Sequence, residues 1–334
     1  MAMHNPLDAL PSNAKAWLHR RRQPEWIAPM MATLTYERFS RKGWLFEPNW
    51  DGERCLAFGR GSALMLYSRN RVRLNEKYPE IAAAFATQDT SNFIADGEVV
   101  TFEDGITSFA KLQERMHVQH PSADLLRRVP VRLYLFDLLY FDRYDTRHLP
   151  LQYRKQLLRR AFDYRGALRF TKHCEEYGEV YYLSACRKRW EGVIAKDGSS
   201  LYVSRRTRDW LKFKCHQQQE FVIGGYTDPR GHRISFGALL LGFYRKGKLV
   251  YAGKVGTGLD QATLQRLGRR LARLEISDPP FAEDGFARRN MHWVRPMLVA
   301  EIAFTEWTPT NKLRHPRILG LREDKQPSEV VREG

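Results

Sequence analysis

A cluster of charged residues at a turn is the first feature of this sequence that could carry out chemistry. The octet from Glu47 to Arg54 reads Glu-Pro-Asn-Trp-Asp-Gly-Glu-Arg and lies between the apolar runs 44–46 and 55–58. Apolar runs on both sides of an Asp-Gly pair predict two strands joined by a tight turn. A plain hairpin would explain that pattern. Further polar clusters at later strand ends favour a site instead.

Two lysines indicate which ligand such a site would take. The segment Trp210-Leu-Lys-Phe-Lys214 alternates apolar and basic residues, so in a strand Lys212 and Lys214 share one face. Two cations on one face are ordinary on a protein surface and unusual in a core. They are also what a triphosphate site uses, because ammonium groups neutralise phosphate charge.

The polar clusters are weak signals one by one, but their order is specific. Along the chain they are Glu47–Arg54, Ser68-Arg69-Asn70, Asp96-Gly97-Glu98, Phe136-Asp137, Glu191-Gly192, Lys212-x-Lys214 and Arg322-x-Asp324-Lys325. This order resembles the full motif set of ATP-dependent DNA ligases, from about Ile27 to the C-terminus. The octet resembles their nucleotidyl-transfer motif, Lys-x-Asp-Gly-x-Arg, which mRNA capping enzymes share. The likeness is nearest to the bacterial ligase D and ligase C types, which act in end joining and repair.

The resemblance implies a fold and a division into domains. Such enzymes are α+β proteins that pair an ATP-grasp-like nucleotidyltransferase domain with an OB-fold β-barrel. The character of the sequence changes at residues 216–219, and the remainder is rich in predicted strands. We expect a leader at residues 1–26, a nucleotidyltransferase domain at 27–217 and an OB-fold domain at 218–334.

For the nucleoside, the resemblance assigns a small set of side chains. Glu47 would flank the adenine pocket, and Phe136 would stack on the adenine, although a plain core position would also explain Phe136. Arg54 and Arg69 would bind sugar and phosphate, because a planar guanidinium group meets two oxygens at once. Glu98 would contact the ribose or hold a metal ion.

For the phosphates, the resemblance assigns cations and a metal ion. Lys212 and Lys214 would neutralise the α-phosphate. Glu191 would bind Mg²⁺ or Mn²⁺, which prefer hard oxygen ligands. Arg322 and Lys325, on the OB-fold domain, would orient pyrophosphate in the first reaction step only. This implies that the OB-fold domain closes over ATP and later moves to grip DNA.

One residue departs from the family pattern. Asn49 stands where these ligases carry the lysine that attacks the α-phosphate of ATP. An amide nitrogen is not nucleophilic, because its lone pair is delocalised into the carbonyl group. We therefore expect the chain to bind ATP and nicked DNA without adenylylating itself. Asn49 is either a deliberate substitution that traps an unreacted complex or the mark of a natural pseudo-ligase, and the otherwise intact motifs favour the first.

The composition agrees with a polyanionic partner. The 334 residues carry 55 Lys and Arg against 38 Asp and Glu, a net charge of +17, which favours nucleic acid first and an anionic membrane second. The longest apolar run, near residues 236–244, is too short to span a bilayer as a helix, and no signal peptide is visible at the N-terminus. Four scattered cysteines without a C-x-x-C pair fit a reducing cytosol. We expect a bacterial cytoplasmic, nucleoid-associated monomer that acts on nicked double-stranded DNA.

Other functions remain open at this point. A capping guanylyltransferase or an RNA ligase would share the core motifs. A non-catalytic nick or end binder would explain Asn49 and the net charge. A plain basic nucleic-acid-binding module would leave the ordered acidic clusters unexplained. Family analogy alone suggests a Ku-like end binder or a repair polymerase as a partner.

Overall fold

The computed structural model describes residues 5–215, 218–229, 234–282 and 290–333. The chain divides into two compact units, Met1–Cys215 and His216–Gly334. The predicted domain boundary falls at residue 217, which lies outside the described residues together with residue 216. Within the described ranges, no helix is both long and apolar enough to cross a bilayer.

Strands dominate the first unit, and short helices connect them. Its strands are β1 (His19–Arg20), β2 (Met31–Leu34), β3 (Arg41–Asn49), β4 (Glu53–Arg60), β5 (Ala63–Ser68), β6 (Asn92–Val100), β7 (Phe102–Glu103), β8 (Ile106–Thr107), β9 (Arg132–Phe141), β10 (Tyr144–Asp145), β11 (Leu168–Phe170), β12 (Cys174–Glu176), β13 (Gly192–Asp197) and β14 (Arg206–Lys214). Its helices are α1 (Ser12–Lys15), α2 (Pro79–Ala86), α3 (Phe109–Met116), α4 (Ala123–Arg128), α5 (Leu151–Ala161) and α6 (Gly178–Arg187), with 3-10 turns at Pro6–Ala9 and Thr146–His148.

These strands form two main sheets. One has the order β1-β10-β9-β6-β4-β5, with β11 parallel to β9. The other has the order β12-β3-β13-β14-β2. Apolar side chains from both sheets, among them Leu56, Ile94 and Trp210, form one core cluster. A second cluster includes residues of α2, α3 and α5 against the first sheet, and a third joins α6 to the second sheet.

The predicted hairpin at the octet is wrong. The strands on either side of it, β3 and β4, belong to different sheets, so residues 50–52 carry the chain from one sheet to the other. Gly52 makes this crossing possible, because a Cβ atom there would lie 2.1 Å from the carbonyl oxygen of Val99. The Asp-Gly pair therefore serves a close approach between two chain segments.

Residues 5–26, predicted as a leader, pack onto the first unit. Leu7 and Leu10 belong to its largest core cluster. The short strand β1 extends the first sheet by pairing with β10.

A buried ion pair fixes α5 against β9. The Arg154 guanidinium donates to both carboxylate oxygens of Asp137, at 2.7 and 2.9 Å, and to the carbonyl oxygens of Leu149 and Ser200. Neither charged side chain is exposed to solvent. Asp137, which stands in the Phe136-Asp137 cluster of the sequence, is therefore a structural residue.

The cysteines differ from the expectation of scattered single thiols. Cys186, in α6, forms a disulfide with Cys215, 29 residues later, while Cys55 and Cys174 are free. The spacing of the cysteines in the sequence could not predict this disulfide, because α6 and the end of β14 come together only in the folded structure.

The second unit is built around one further sheet. Its strands are β15 (Gln218–Thr227), β16 (Leu239–Arg245), β17 (Lys248–Val255), β18 (Glu275–Ile276), β19 (Met291–Ala303), β20 (Glu306–Trp307), β21 (Leu313–Arg314) and β22 (Arg317–Leu321), with α7 at Gln261–Ala272 and a 3-10 turn at Pro327–Glu329. The sheet order is β17-β16-β15-β19-β18, and β22 also pairs with β19. Leu264, Leu267 and Leu271 of α7 are buried in the core of this unit.

We expect the Asp137→Ala variant to lose about 3–5 kcal/mol of unfolding free energy, because it leaves the Arg154 charge buried without its partner. Urea denaturation of both proteins measures the loss. A double variant, Asp137→Leu with Arg154→Met, should lose much less, because it removes both charges together. A single variant as stable as the parent chain would contradict a structural role for the pair.

Candidate nucleotide site

A cavity of about 80 Å³ lies beside the crossing between the two sheets. Five of the predicted site residues line it, namely Glu47, Asn49, Arg54, Glu98 and Phe136. Both main sheets contribute, because Glu47 and Asn49 end β3 whereas the other three come from β4, β6 and β9. Lys196 and Trp210 also line the cavity, and sequence reasoning named neither as a site residue.

The two predicted phosphate-binding lysines share a sheet face with the end of β3. Asn49 lies opposite Gly192, and Gly192 lies opposite Lys214 on the next strand. Glu47 and Lys212 occupy the neighbouring row of the same face. Residues opposite one another in antiparallel strands point to the same side of a sheet. Lys212 and Lys214 do not line the cavity itself, but their strand positions place them beside it.

A buried carboxylate joined to two lysines forms one side of the site. Lys155 Nζ donates to Glu47 Oε1 at 2.5 Å and to the carbonyl oxygen of Thr171 at 2.8 Å. Lys196 Nζ lies 2.6 Å from Glu47 Oε2. Each of the three side chains is 2% exposed. Glu47 thus receives an ammonium group on each carboxylate oxygen.

The contacts between Glu47 and the two lysines shift the pKa values of Glu47 and Lys196. Burial alone would raise the pKa of the Glu47 carboxyl, but the ammonium groups of Lys155 and Lys196 outweigh burial and hold that pKa below its usual value. For Lys196, burial lowers the pKa, and the nearby Lys155 cation adds to the decrease against the opposing pull of Glu47. Lys196 Nζ also lies 4.3 Å from the Phe136 ring centroid and 4.1 Å from that of Trp210.

Arg54 is held in one orientation by a carboxylate. Its Nε and Nη2 atoms donate to the two oxygens of Asp96, each at 2.6 Å, and the Tyr202 hydroxyl donates to the same carboxylate at 2.7 Å. The guanidinium carbon lies 4.7 Å from the Phe136 ring centroid. Burial opposes the charge of Arg54, but Asp96 raises its pKa, so Arg54 stays a cation. Asp96 was part of a predicted cluster without a predicted role.

The amide group of Asn49 is the anomaly of the site. Its Nδ2 atom is buried and makes no hydrogen bond to any part of the chain that the structure describes. Buried polar atoms nearly always have a partner. Position 49 therefore suits a different side chain, or a ligand that pairs with the amide nitrogen. A phosphate oxygen that accepts a hydrogen bond from Asn49 Nδ2 is one such ligand group.

Two further predicted residues lie off the cavity. Arg69 follows β5 and is half-buried. Glu191 precedes β13, and its carbonyl oxygen accepts from the Cys215 backbone N–H at 2.9 Å. No group of three or more His, Cys, Asp or Glu side chains that could hold a metal is found within the described ranges. Mg²⁺ commonly takes one or two carboxylates and completes its shell with water and substrate phosphates, so Glu98 and Glu191 suit it chemically.

The predicted pyrophosphate residues of the second unit lie in an acidic cluster. Arg322 donates to both oxygens of Asp324, at 2.9 and 2.8 Å, and to Glu301 Oε2 at 3.0 Å. Lys325 Nζ lies 3.0 Å from Glu220 Oε1. Burial opposes the charge of Arg322, but these carboxylates raise its pKa. To bind pyrophosphate, Arg322 would have to exchange carboxylate contacts for phosphate oxygens.

Replacing Glu47 by Gln tests the charge state of the site. The pKa of Glu47 is lowered in the folded protein, so its ionised form stabilises the fold at neutral pH, and this contribution is lost as the pH falls through that pKa. We expect Glu47→Gln to cost about 3–5 kcal/mol of unfolding free energy at pH 7 and progressively less at acidic pH, as the pH falls below the ordinary pKa of glutamate towards the lowered pKa of Glu47. Urea denaturation at pH 7 and at a series of acidic pH values measures this. A difference between the two proteins that stays constant over the whole acidic series would contradict an ionised Glu47.

Comparison with known proteins agrees with this geometry. The family described as "ATP dependent DNA ligase domain" matches residues 29–214, and "ATP dependent DNA ligase C terminal region" matches residues 232–325. The multifunctional non-homologous end joining protein LigD of Pseudomonas aeruginosa is 36% identical over 318 residues, 93% of this chain and 37% of that protein. The LigD protein of Mycobacterium tuberculosis H37Rv is 37% identical over 315 residues, 92% of this chain and 40% of that protein. The chain therefore spans about two fifths of the length of these relatives.

A solved structure supports the same assignment. Mycobacterial DNA ligase D complexed with ATP and MES is 35% identical, with a TM-score of 0.66, and the match covers 92% of this chain and 98% of that one. Together these matches confirm the predicted α+β fold, in which a nucleotidyltransferase domain precedes an OB-fold domain. The chain belongs to the ATP-dependent DNA ligases.

Proposed function

We propose that this chain is a DNA ligase module that binds ATP and a divalent metal ion at the cavity, with the phosphates outside it, and nicked double-stranded DNA beside it. In this proposal it serves DNA repair or end joining, and Asn49 prevents it from forming the enzyme–AMP intermediate. The buried amide of Asn49, unpaired within the described part of the chain and lying on a cavity lined by Glu47, Arg54, Glu98 and Phe136, carries the proposal.

Ligation proceeds by three phosphoryl transfers. A lysine amine attacks the α-phosphate of ATP and expels pyrophosphate. The 5′-phosphate at the nick then attacks the lysyl-AMP, and AMP passes to the DNA. Finally, the 3′-hydroxyl attacks this activated phosphate and AMP leaves. Positioning and charge neutralisation supply most of the rate in such reactions. Asn49 removes the nucleophile of the first step, because its amide nitrogen has no available lone pair.

The remaining residues would hold the nucleotide. Asp96 holds the Arg54 guanidinium in one orientation. Arg54 would therefore contact sugar and phosphate oxygens with little loss of side-chain freedom. Lys212 and Lys214 share a sheet face with Asn49 and would neutralise the α-phosphate. A divalent ion held by Glu98 and Glu191 would supply further charge neutralisation at the phosphates. Arg69 would contact sugar or phosphate from the end of β5.

The adenine would occupy the inner part of the cavity. Phe136 would stack on one face of the base, and Glu47 would accept from its exocyclic amino group while Lys155 and Lys196 keep the carboxylate ionised. The second unit would contribute Arg322 and Lys325, which would orient pyrophosphate after leaving Glu301 and Glu220.

The net charge and the names of the relatives support the proposed DNA and protein partners. A net charge of +17 suits contacts with the phosphate backbone, which a ligase needs because it must accept any sequence. The relatives are named for non-homologous end joining and are longer than this chain. We infer that the module works as a monomer in the bacterial cytoplasm at the nucleoid, with a Ku-like end binder or a repair polymerase as its partner.

Restoring the lysine tests the proposal directly. With ATP labelled at the α-phosphate and Mg²⁺, we expect the Asn49→Lys protein to retain label on a denaturing gel and the parent chain to retain none. Asn49→Arg is the matched control, because it adds a cation without a nucleophilic amine. Absence of label on Asn49→Lys would contradict the proposal and favour a non-catalytic nick binder. Labelling by GTP instead of ATP would indicate a capping-type enzyme.

The last reaction step needs no lysine nucleophile. We therefore expect the parent chain to seal a nick that already carries AMP on its 5′-phosphate, at a rate about 10- to 100-fold below that of Asn49→Lys, since one charged contact to phosphate is missing. Gel analysis of the joined strand measures this rate. Sealing by Asn49→Lys but not by the parent chain would show that residue 49 is indispensable in this step too.

A further inference from the structure

Four aromatic rings form a continuous surface that begins in the nucleotide cavity and continues away from it. Trp50 lines the cavity. Its ring centroid lies 4.2 Å from that of Tyr134, 6.3 Å from that of Trp190 and 6.4 Å from that of Phe102. The Trp50 indole N–H donates to the Thr171 hydroxyl at 3.3 Å. We call Trp50, Phe102, Tyr134 and Trp190 the aromatic wall.

The aromatic wall differs from the core aromatics. All four residues are half-buried. Trp50, Phe102 and Tyr134 belong to none of the core clusters formed by the described residues, and Trp190 packs only against the edge of one. The rings contact one another in tilted and T-shaped pairs and keep exposed surface, so they offer a ligand π-faces that are already partly desolvated.

Cations lie at two edges of the aromatic wall. The guanidinium carbon of Arg132 is 5.9 Å from the Phe102 ring centroid, and Lys188 Nζ is 5.0 Å from the Trp190 ring centroid. Both Arg132 and Lys188 are exposed. Aromatic faces flanked by lysine and arginine are the combination that binds single-stranded nucleic acid, since bases stack on the rings and the cations meet the backbone.

The position of the aromatic wall relates it to the reacting groups. Trp50 follows Asn49 directly, and Trp190 precedes Glu191. Tyr134 lies opposite Glu98 in the first sheet. The strand terminus that accepts or displaces AMP must come to these same residues in the proposed function, so its nucleobase comes within reach of the aromatic wall.

We propose that the aromatic wall stacks on an unpaired nucleobase at the strand terminus beside the cavity. This inference rests on the proposed function and names its substrate class: broken or nicked ends whose terminal base is already out of the duplex stack. A base in an intact duplex must first be unstacked, which costs free energy, whereas a mismatched or overhanging base avoids most of that cost. The aromatic wall thus favours imperfect ends over a fully paired nick.

Equilibrium binding of nicked duplexes with three kinds of terminal nucleotide tests the inference. The terminal nucleotide at the nick is matched, mismatched or abasic, on the 3′-hydroxyl side and on the 5′-phosphate side in separate substrates, and fluorescence anisotropy gives each dissociation constant. Stacking of one base changes affinity by about 5- to 150-fold. We expect the mismatched terminus to bind at least about fivefold more tightly than the abasic one on one side of the nick, and more tightly than the matched one.

Variants of the aromatic wall separate stacking from backbone binding. Phe102→Leu and Trp190→Leu each keep an apolar side chain and remove a ring, so they should reduce the mismatched-to-abasic ratio and leave the abasic affinity unchanged. Trp17→Leu is the matched control, because Trp17 is 51% exposed and lies outside the aromatic wall. It should retain the ratio of the parent chain.

The outcomes distinguish this inference from the proposed function. Equal binding of mismatched and abasic termini, or a ratio that survives both wall variants, overturns the inference while the ligase function stands. A chain that binds no nicked duplex at all overturns both. Equal loss of abasic and mismatched binding in the wall variants shows a contact that does not read the base, which also overturns the inference.

Discussion

The Glu47 carboxylate is the point on which the first unit depends. It accepts from an ammonium group on α5 and lies against a second on β13, and its own strand ends at the cavity. A charge placed in an apolar interior costs several kcal/mol unless it is paired. If β3, α5 or β13 moved away, the charged groups left on the other two elements would lose a partner while still buried. The ion pairs of Glu47 therefore hold the two strands and the helix together, and they also fix one side of the nucleotide site.

The same principle organises the other charged groups. Arg54 is fixed by Asp96, Arg154 by Asp137, and Arg322 by Asp324 and Glu301. Arg54 lies at the cavity, whereas Arg322 belongs to the second unit. Cations that are oriented in advance lose little freedom when a phosphate arrives, which is the usual source of catalytic power in phosphoryl transfer. The exposed Arg132 and Lys188 lie over aromatic rings, and no carboxylate within the described residues orients either of them, which suits contacts to a flexible strand.

Much of the site could be read from the sequence because its motifs are local. Glu47, Arg54 and Glu98 each belong to a short cluster of polar residues that is visible in the sequence itself. Lys155 could not be found this way, since it lies 108 residues from the carboxylate that it meets. Lys196 gave a faint signal, as the charged end of an otherwise apolar strand. The predicted hairpin was wrong for the same reason. An Asp-Gly pair indicates a turn, but the sheet that each flanking strand joins depends on partner strands that are far away in sequence.

The disulfide has a mechanical consequence for the site. Cys215 is the last residue of the first unit and directly follows Lys214, while Cys186 belongs to α6. The disulfide adds a covalent bond between the end of β14 and α6 to the hydrogen bonds that pair β14 with β13. In the oxidised protein the backbone beside Lys214 is therefore held from two directions, and reduction leaves only the hydrogen bonds of the sheet.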